Sequence, residues 1–229
     1  MDAVLFDMDG VLIDSYEPHL RSWRRLATEE GLPFDAAELA KGFGRTGREA
    51  IALYWPGRAS EAARLDARKE ELFRQEIAGC FPAAEGAREL VTALADAGFA
   101  LAVASSGPPE NVDLAVDRLG LRSCFGAVVT GRDVPRGKPD PQIFLLAARR
   151  LGVPPARCAV IEDAPLGVEA AHRGGMKAVA VLSTGRRAED FTAVTPERIV
   201  RSLRELSPRD FAELLADGSS RRHRNGGEP

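Results

Sequence analysis

Apolar positions along the chain fall into two kinds of run. Ala3 to Phe6 is an unbroken apolar segment of strand length, and it stops at two acids, Asp7 and Asp9, with Gly10 beyond them. From Pro18 to Glu30 the spacing becomes helical: Leu20, Trp23 and Ala27 recur until Gly31 and Pro33 end the segment. Asp35 with Glu38 has the form of a capping box for a short helix, and Arg48 to Tyr54 forms another that ends at Pro56. Ser60 is placed to cap a longer helix through Ile77, with Leu65, Leu72 and Phe73 on its apolar side. The chain from about Ser15 to Gly79 therefore reads as all-helical.

After Phe81-Pro82 the pattern alternates. Strands are expected at Phe99–Ala104, Ala127–Thr130, Ala159–Ile161 and Ala178–Leu182, separated by helices at Glu85–Ala97, Glu110–Leu119, Asp140–Leu151 and Leu166–Arg173. Arg198–Val200 is either a last edge strand or part of a helix begun at Thr195-Pro196, and Ser207-Pro208 caps a final helix. Such alternation predicts an α/β fold, a doubly wound parallel sheet with helices on both faces. The organisation expected is a discontinuous core of residues 1–14 and 80–217, a small all-helical cap over 15–79, and a disordered tail over 218–229.

Composition narrows the function. With 31 basic and 34 acidic side chains and a net charge of -3, no domain-wide basic surface is implied, so nucleic acid is not an expected partner. Apolar stretches are too short to cross a bilayer, so no membrane is expected either, and the strand at the N-terminus leaves no room for a signal peptide. The three scattered cysteines read as reduced thiols of a cytoplasmic protein, without a base that would make one a nucleophile.

Parallel sheets of this kind bind ligands at the carboxyl ends of their strands. Those ends carry Asp7 and Asp9 on the first strand, Ser105 and Ser106 on the second, and Glu162 and Asp163 on the fourth, with Lys138 just before the preceding helix. Asp7 and Asp9 are two apart on a strand, so both address one volume. So many carboxylates need a cation, and hard oxygen donors suit Mg2+, which also takes phosphate oxygens. The chemistry this supports is attack by Asp7 on a phosphate, proton transfer by Asp9, and stabilisation of the phosphoryl oxygens by Lys138 and Ser105.

Asp7-x-Asp9-Gly-Val-x-x-Asp14-Ser, a hydroxyl after the second strand, Gly137-Lys-Pro-Asp-Pro and Ile161-Glu-Asp-Ala-x-x-Gly-x-x-Ala-Ala resemble the four motifs of the haloacid dehalogenase superfamily, in the family's order and over nearly the whole chain. The resemblance implies a Rossmann-like core with a mobile cap, Asp7 as nucleophile, Asp9 as general acid/base, and magnesium held by Asp7, the Asp9 carbonyl and Asp163, with Glu162 at or just behind the metal. Within the superfamily the chain is similar to the small-helical-cap branch that holds β-phosphoglucomutase and sugar-phosphate phosphatases. By that likeness His19, Trp23, Arg45, Arg48 and Lys69 of the cap and Ser106 of the core are substrate-binding candidates. Each also has a plainer reading: Trp23 as cap core, Arg45 and Arg48 as exposed charges, Lys69 within Arg-Lys-Glu-Glu as a solvated helix face. The activity expected is hydrolysis of a small phosphorylated metabolite by a monomer or weak homodimer. The mutase's serine, lysine and asparagine after the second strand are replaced by Ser106-Gly107-Pro108-Pro109, which favours a phosphatase. Mutase activity and a weakly active metabolite sensor are the alternatives.

Overall fold

A computed structural model describes residues 1–40, 42, 44–183 and 185–220. Its six strands are β1 (Ala3–Phe6), β2 (Ala100–Ala104), β3 (Ala127–Val129), β4 (Cys158–Glu162), β5 (Lys177–Val181) and β6 (Arg198–Val200). They form one parallel sheet in the order β3-β2-β1-β4-β5-β6, so Arg198–Val200 is the edge strand and not helix. The first strand lies inside the sheet, with Val4 opposite Leu101 on one side and Ala159 on the other. Continuous apolar sequence is what a strand covered on both faces requires.

Adjacent side chains on β1 go to opposite helical layers, and those two apart share one. Val4 and Phe6 pack with Leu90, Val112 and Phe211, from α5 (Ala87–Asp96), α6 (Pro109–Leu119) and α9 (Pro208–Ser220). Leu5 packs with Phe144 and Val168, from α7 (Gln142–Leu151) and α8 (Pro165–Arg173). Full burial of each such side chain contributes about 2 kcal/mol. The last helix, α9, runs to Ser220 and so enters the stretch expected to be tail. Once started, a helix extends at one hydrogen bond per residue, and Gly218 opposes this by only about 1 kcal/mol.

Between β1 and β2 lie α1 (Tyr16–Glu30), α2 (Ala36–Ala40), α3 (Gly47–Tyr54) and α4 (Ala62–Ala78). They enclose an apolar cluster of their own, with Trp23, Leu26, Ile51, Trp55, Leu65 and Leu72 buried in it. Thr46 caps α3 through a capping box with Glu49, whereas Ser60 falls inside a 3₁₀ turn over Pro56–Glu61 and caps nothing. Proline preset the turn before the serine was reached, so α4 starts at Ala62. The two connections to the sheet run side by side: the Asp14 amide donates to the Pro82 carbonyl (2.8 Å), and Ile13 bridges Ala83.

Candidate active site

The first strand delivers its acids by extending one bond past its end. The Asp7 amide donates to the Ile161 carbonyl (3.0 Å), which sets Asp7 beside the end of β4 at the carboxyl edge of the sheet. Beyond it the Met8 carbonyl accepts from the amides of Leu12 and Ile13, closing a tight turn through Gly10 at φ +74°. A Cβ at Gly10 would stand 2.1 Å from Asp163 Oδ2, so only glycine lets the turn pass under that carboxylate.

Lys138 joins the acids. Its ammonium donates to Asp7 Oδ1 (2.8 Å) and Glu162 Oε1 (2.5 Å), and all three residues are buried. The other Glu162 oxygen accepts from the amides of Asp163 and Ala164, which hold Glu162 in place as an anchor for Lys138. Asp163 turns to the cavity, and its Oδ2 accepts from Ser183 (2.7 Å) with Arg186 3.9 Å away. Burial pushes the Asp163 carboxyl up to about 7, with Glu162 adding to the rise and Arg186 opposing it. Burial likewise raises Asp7 well above its ordinary range; Lys138 opposes the rise while Glu162, Asp9 and Asp163 reinforce it. Burial lowers and the charges of Asp7 and Glu162 more than restore the Lys138 pKa, so its ammonium is held firmly protonated.

Asp7, Glu162 and Asp163 each offer a carboxylate oxygen within 4.8 Å of the others. One lysine against two buried acids and the half-buried Asp163 leaves net negative charge, and an all-oxygen donor set of this kind fits magnesium. The residues present therefore suit a hard divalent cation, with Asp7 and Asp163 the carboxylates that face the cavity.

Asp9 lies on the same wall but answers to the helices above. His19 Nε2 is 2.9 Å from Asp9 Oδ1, and His19 Nδ1 is 2.7 Å from Lys69 Nζ. An ammonium has only protons to give, so Lys69 donates to Nδ1 and the ring presents Nε2–H to Asp9. The ring stacks on Phe73, centroids 3.9 Å apart. Burial would raise the Asp9 pKa, but His19, a hydrogen bond from Ser15 and the charge of Lys69 outweigh it, holding the carboxyl below its ordinary range.

The remaining candidates separate cleanly. Arg45 lines the cavity with Trp23, His19, Lys69 and Ser106, and its Nε is buried with no hydrogen-bond partner among the described residues. Arg48 is exposed and does not line the cavity; α3 carries its side chain away from it. Phe43 and Lys41, in the loop before Arg45, lie outside the described residues. Trp23 is buried in the apolar cluster, and the Lys69 ammonium sits 5.1 Å from its ring, so little of it faces a ligand. Lys69 itself is 3% exposed, not part of a solvated face. Ser105 is fully buried with its Oγ accepting from the Gly107 amide, and Ser106 donates to the Gly44 carbonyl across the cleft. Sequence reasoning passed over Glu49, whose Oε1 accepts from the Gly137 amide next to Lys138, and Glu70 and Asn111, which join behind Lys69. Glu49 was readable from Thr-x-x-Glu; the Glu70–Asn111 pair spans 41 positions and leaves no local signal.

No helix among the described residues is long and apolar enough to cross a membrane. The cysteines are unpaired, and burial pushes the Cys158 thiol up to about 12, away from nucleophilic character.

A family model described as a haloacid dehalogenase-like hydrolase matches residues 1–175. A chloroplastic 5-amino-6-(5-phospho-D-ribitylamino)uracil phosphatase of Arabidopsis thaliana is 37% identical over 217 residues, which is 93% of this chain; the chain spans 57% of that relative's length. A validoxylamine A 7'-phosphate phosphatase of Streptomyces hygroscopicus subsp. limoneus is 35% identical over 185 residues, 80% of this chain and 86% of the relative. Among solved structures, a β-phosphoglucomutase from Clostridium difficile shares the fold with a TM-score of 0.84, over 96% of this chain and 99% of that one, at 23% identity.

Proposed function

Because this chain belongs to the haloacid dehalogenase-like hydrolase family, we propose that it is a magnesium-dependent phosphatase that hydrolyses a small phosphomonoester, a sugar phosphate, through a phosphorylated Asp7. The observation that carries this reading is the convergence of Asp7, held by Lys138, and Asp9, held by His19, on one cavity beneath α1–α4. In it residues 15–79 act as a cap over a core of 1–14 and 80–217, and the hydrolysed ester sits between the two.

The Asp7 and Asp163 carboxylates and the Asp9 carbonyl would hold magnesium, which would supply charge neutralisation for an entering phosphate dianion. The Asp7 carboxylate attacks phosphorus, the bond to the ester oxygen breaks, and that oxygen takes the proton of Asp9. Lys138 and the Ser105 hydroxyl stabilise the charge gathering on the phosphoryl oxygens. Water then attacks the phosphoaspartate, Asp9 receives its proton, and inorganic phosphate leaves with Asp7 restored. As arranged by His19, Asp9 is the base of the second step. The negative charge of the incoming phosphate raises its pKa and loads it for the first. Arg45 lines the cavity with an Nε that has no partner among the described residues, which suits it to the polar remainder of the substrate.

One observation favours a second reading, transfer of the β-phosphoglucomutase kind: His19 occupies the carboxylate that would activate water. The prolines at 108 and 109 stand against it, since neither offers an N–H or a charged side chain to a second phosphate. Incubation with a panel of sugar phosphates, with magnesium or with chelator, tests the proposal. Release of phosphate that needs the metal and vanishes in Asp7→Asn is the expected result. No metal-dependent release, as a weakly active sensor would give, refutes it, and β-glucose 1-phosphate turning mainly into glucose 6-phosphate with a trace of bisphosphate selects the mutase.

A further inference from the structure

The pair behind Lys69 links the two parts of the molecule and ends at Asp9. Asn111 stands in the first turn of α6 and is 1% exposed, whereas Glu70 and Arg74 belong to α4. Asn111 Nδ2 donates to Glu70 Oε2 (2.5 Å) and Asn111 Oδ1 accepts from Arg74 Nη1 (2.8 Å). Only this orientation of the amide meets a carboxylate with a donor and a guanidinium with an acceptor. The other Glu70 oxygen accepts from Lys69 Nζ (2.8 Å), and Lys69 donates to His19 Nδ1. Along the line Arg74–Asn111–Glu70–Lys69–His19–Asp9 the four charged members alternate in sign, and Lys69, Glu70 and Asn111 in it are all buried.

We propose that Asn111 and Glu70 are positioning residues: Asn111 grips Glu70 when α4 seats on α6, Glu70 aims Lys69, and Lys69 fixes the His19 tautomer that donates to Asp9. Every other member between Arg74 and Asp9 comes from α1 or α4, so Asn111 is the link through which the seating of these helices on the sheet reaches Asp9. Among the described residues, Ser106 to Gly44 and Gly137 to Glu49 also cross the cleft, and neither contact leads to Asp9. Without Asn111 the buried Glu70 carboxylate loses a donor, and the cheapest remedy is to take more of Lys69 at the expense of His19. The ring is then free to present either nitrogen to Asp9. This inference rests on the reading of Asp9 as the proton carrier.

The test compares wild type with Asn111→Leu, a near-isosteric change, on two esters. An aryl phosphate such as p-nitrophenyl phosphate expels its leaving group without protonation, whereas an alkyl phosphate such as glycerol 2-phosphate needs the Asp9 proton. Because kcat/KM reports steps up to phosphorylation of Asp7, the variant is expected to lose about tenfold on the alkyl ester and less than about threefold on the aryl one. Glu70→Gln, which keeps the Asn111 contact by turning its amide oxygen to Nδ2, is expected to fall between. Nitrogen-15 shifts of His19 supply the readout that needs no turnover: the Nε2–H form in wild type, a mixture of forms in Asn111→Leu. Equal loss on both esters marks a merely structural residue and overturns the proposal, as does an unchanged His19 tautomer. If wild type hydrolyses neither ester, the phosphatase reading fails, while the tautomer still decides the coupling. Should Asn111→Leu not fold, Asn111→Ser carries the same comparison.

Discussion

Replacing Asp163 with asparagine should make the metal-free protein more stable at neutral pH and less stable once magnesium is added. The carboxyl of Asp163 titrates near 3.8 when solvated and near 7 in the fold, driven up first by burial and then by Glu162. Between those values the folded state binds more protons than the unfolded one, so stability falls as pH rises from about 4 to 7 and the loss is complete above that. At roughly 1.4 kcal/mol per pH unit this approaches about 4 kcal/mol, and local relaxation around the Asp7–Lys138–Glu162 cluster leaves about 2–4 kcal/mol to observe. Asparagine keeps the Ser183 hydrogen bond and removes the charge. Urea unfolding from pH 4 to 8 in chelator is the assay: the stability difference, variant minus wild type, should be near zero at pH 4 and reach 2–4 kcal/mol at pH 8. With magnesium the wild type gains RT ln(1 + [Mg]/Kd) and the variant gains little, so the order reverses. A difference that is flat with pH, or a variant less stable than wild type at pH 8 in chelator, refutes the reasoning that the cluster is self-repelling without its cation.

Lys138→Met leaves the buried Asp7 and Glu162 without a cation; a loss of about 3–5 kcal/mol and of at least about a hundredfold in turnover is expected, with the stability loss shrinking as pH falls and Asp7, its pKa already raised by burial, protonates, and unfolding curves plus phosphate release check both. Gly10→Ala places a Cβ 2.1 Å from Asp163 Oδ2 at a φ of +74°, so the magnesium concentration for half-maximal activity should rise at least about tenfold, and an unchanged magnesium titration would contradict this. Gly137→Ala puts a Cβ 2.3 Å from Glu49 Oε2 and should lift α3 from the Lys138 loop, raising KM several-fold while the melting temperature moves by less than about 5 °C; steady-state kinetics and calorimetry separate the two.

The acids at the strand ends were legible because their chemistry is costly. An apolar run that stops at Asp-x-Asp has few explanations, and the same holds for Glu-Asp after Cys158–Ile161. The sheet followed from alternation, and its edge strand alone stayed open between two readings, since three residues beside a proline hold too little pattern to decide. Lys69 shows where periodicity fails. Arg-Lys-Glu-Glu looks solvated whenever burial is judged by side-chain type, yet Lys69 and Glu70 pay for burial with each other, His19 and Asn111. Arg45 and Arg48 are three positions apart, and the start of α3 at Gly47 decides which faces the cavity. Ser60 was a sound cap in a place the preceding proline had already turned, and Thr46 was the cap that mattered.

The side-by-side connections at Asp14 and Pro82 have a consequence for how such a protein changes over generations. A segment of more than sixty residues leaves and rejoins the sheet at neighbouring points, tied there by the two backbone hydrogen bonds of the Ile13–Ala83 bridge, Asp14 to Pro82 and Ala84 to Leu12. Lengthening it, shortening it or exchanging its helices leaves the ladder between β1, β2 and β4 untouched, because none of those pairings runs through it. The price of novelty is thereby confined: new side chains above the cavity change its lining, while the strand that carries Asp7 is inherited unaltered. Recombination at these two junctions can trade one selectivity for another without re-solving the problem of holding two acids together.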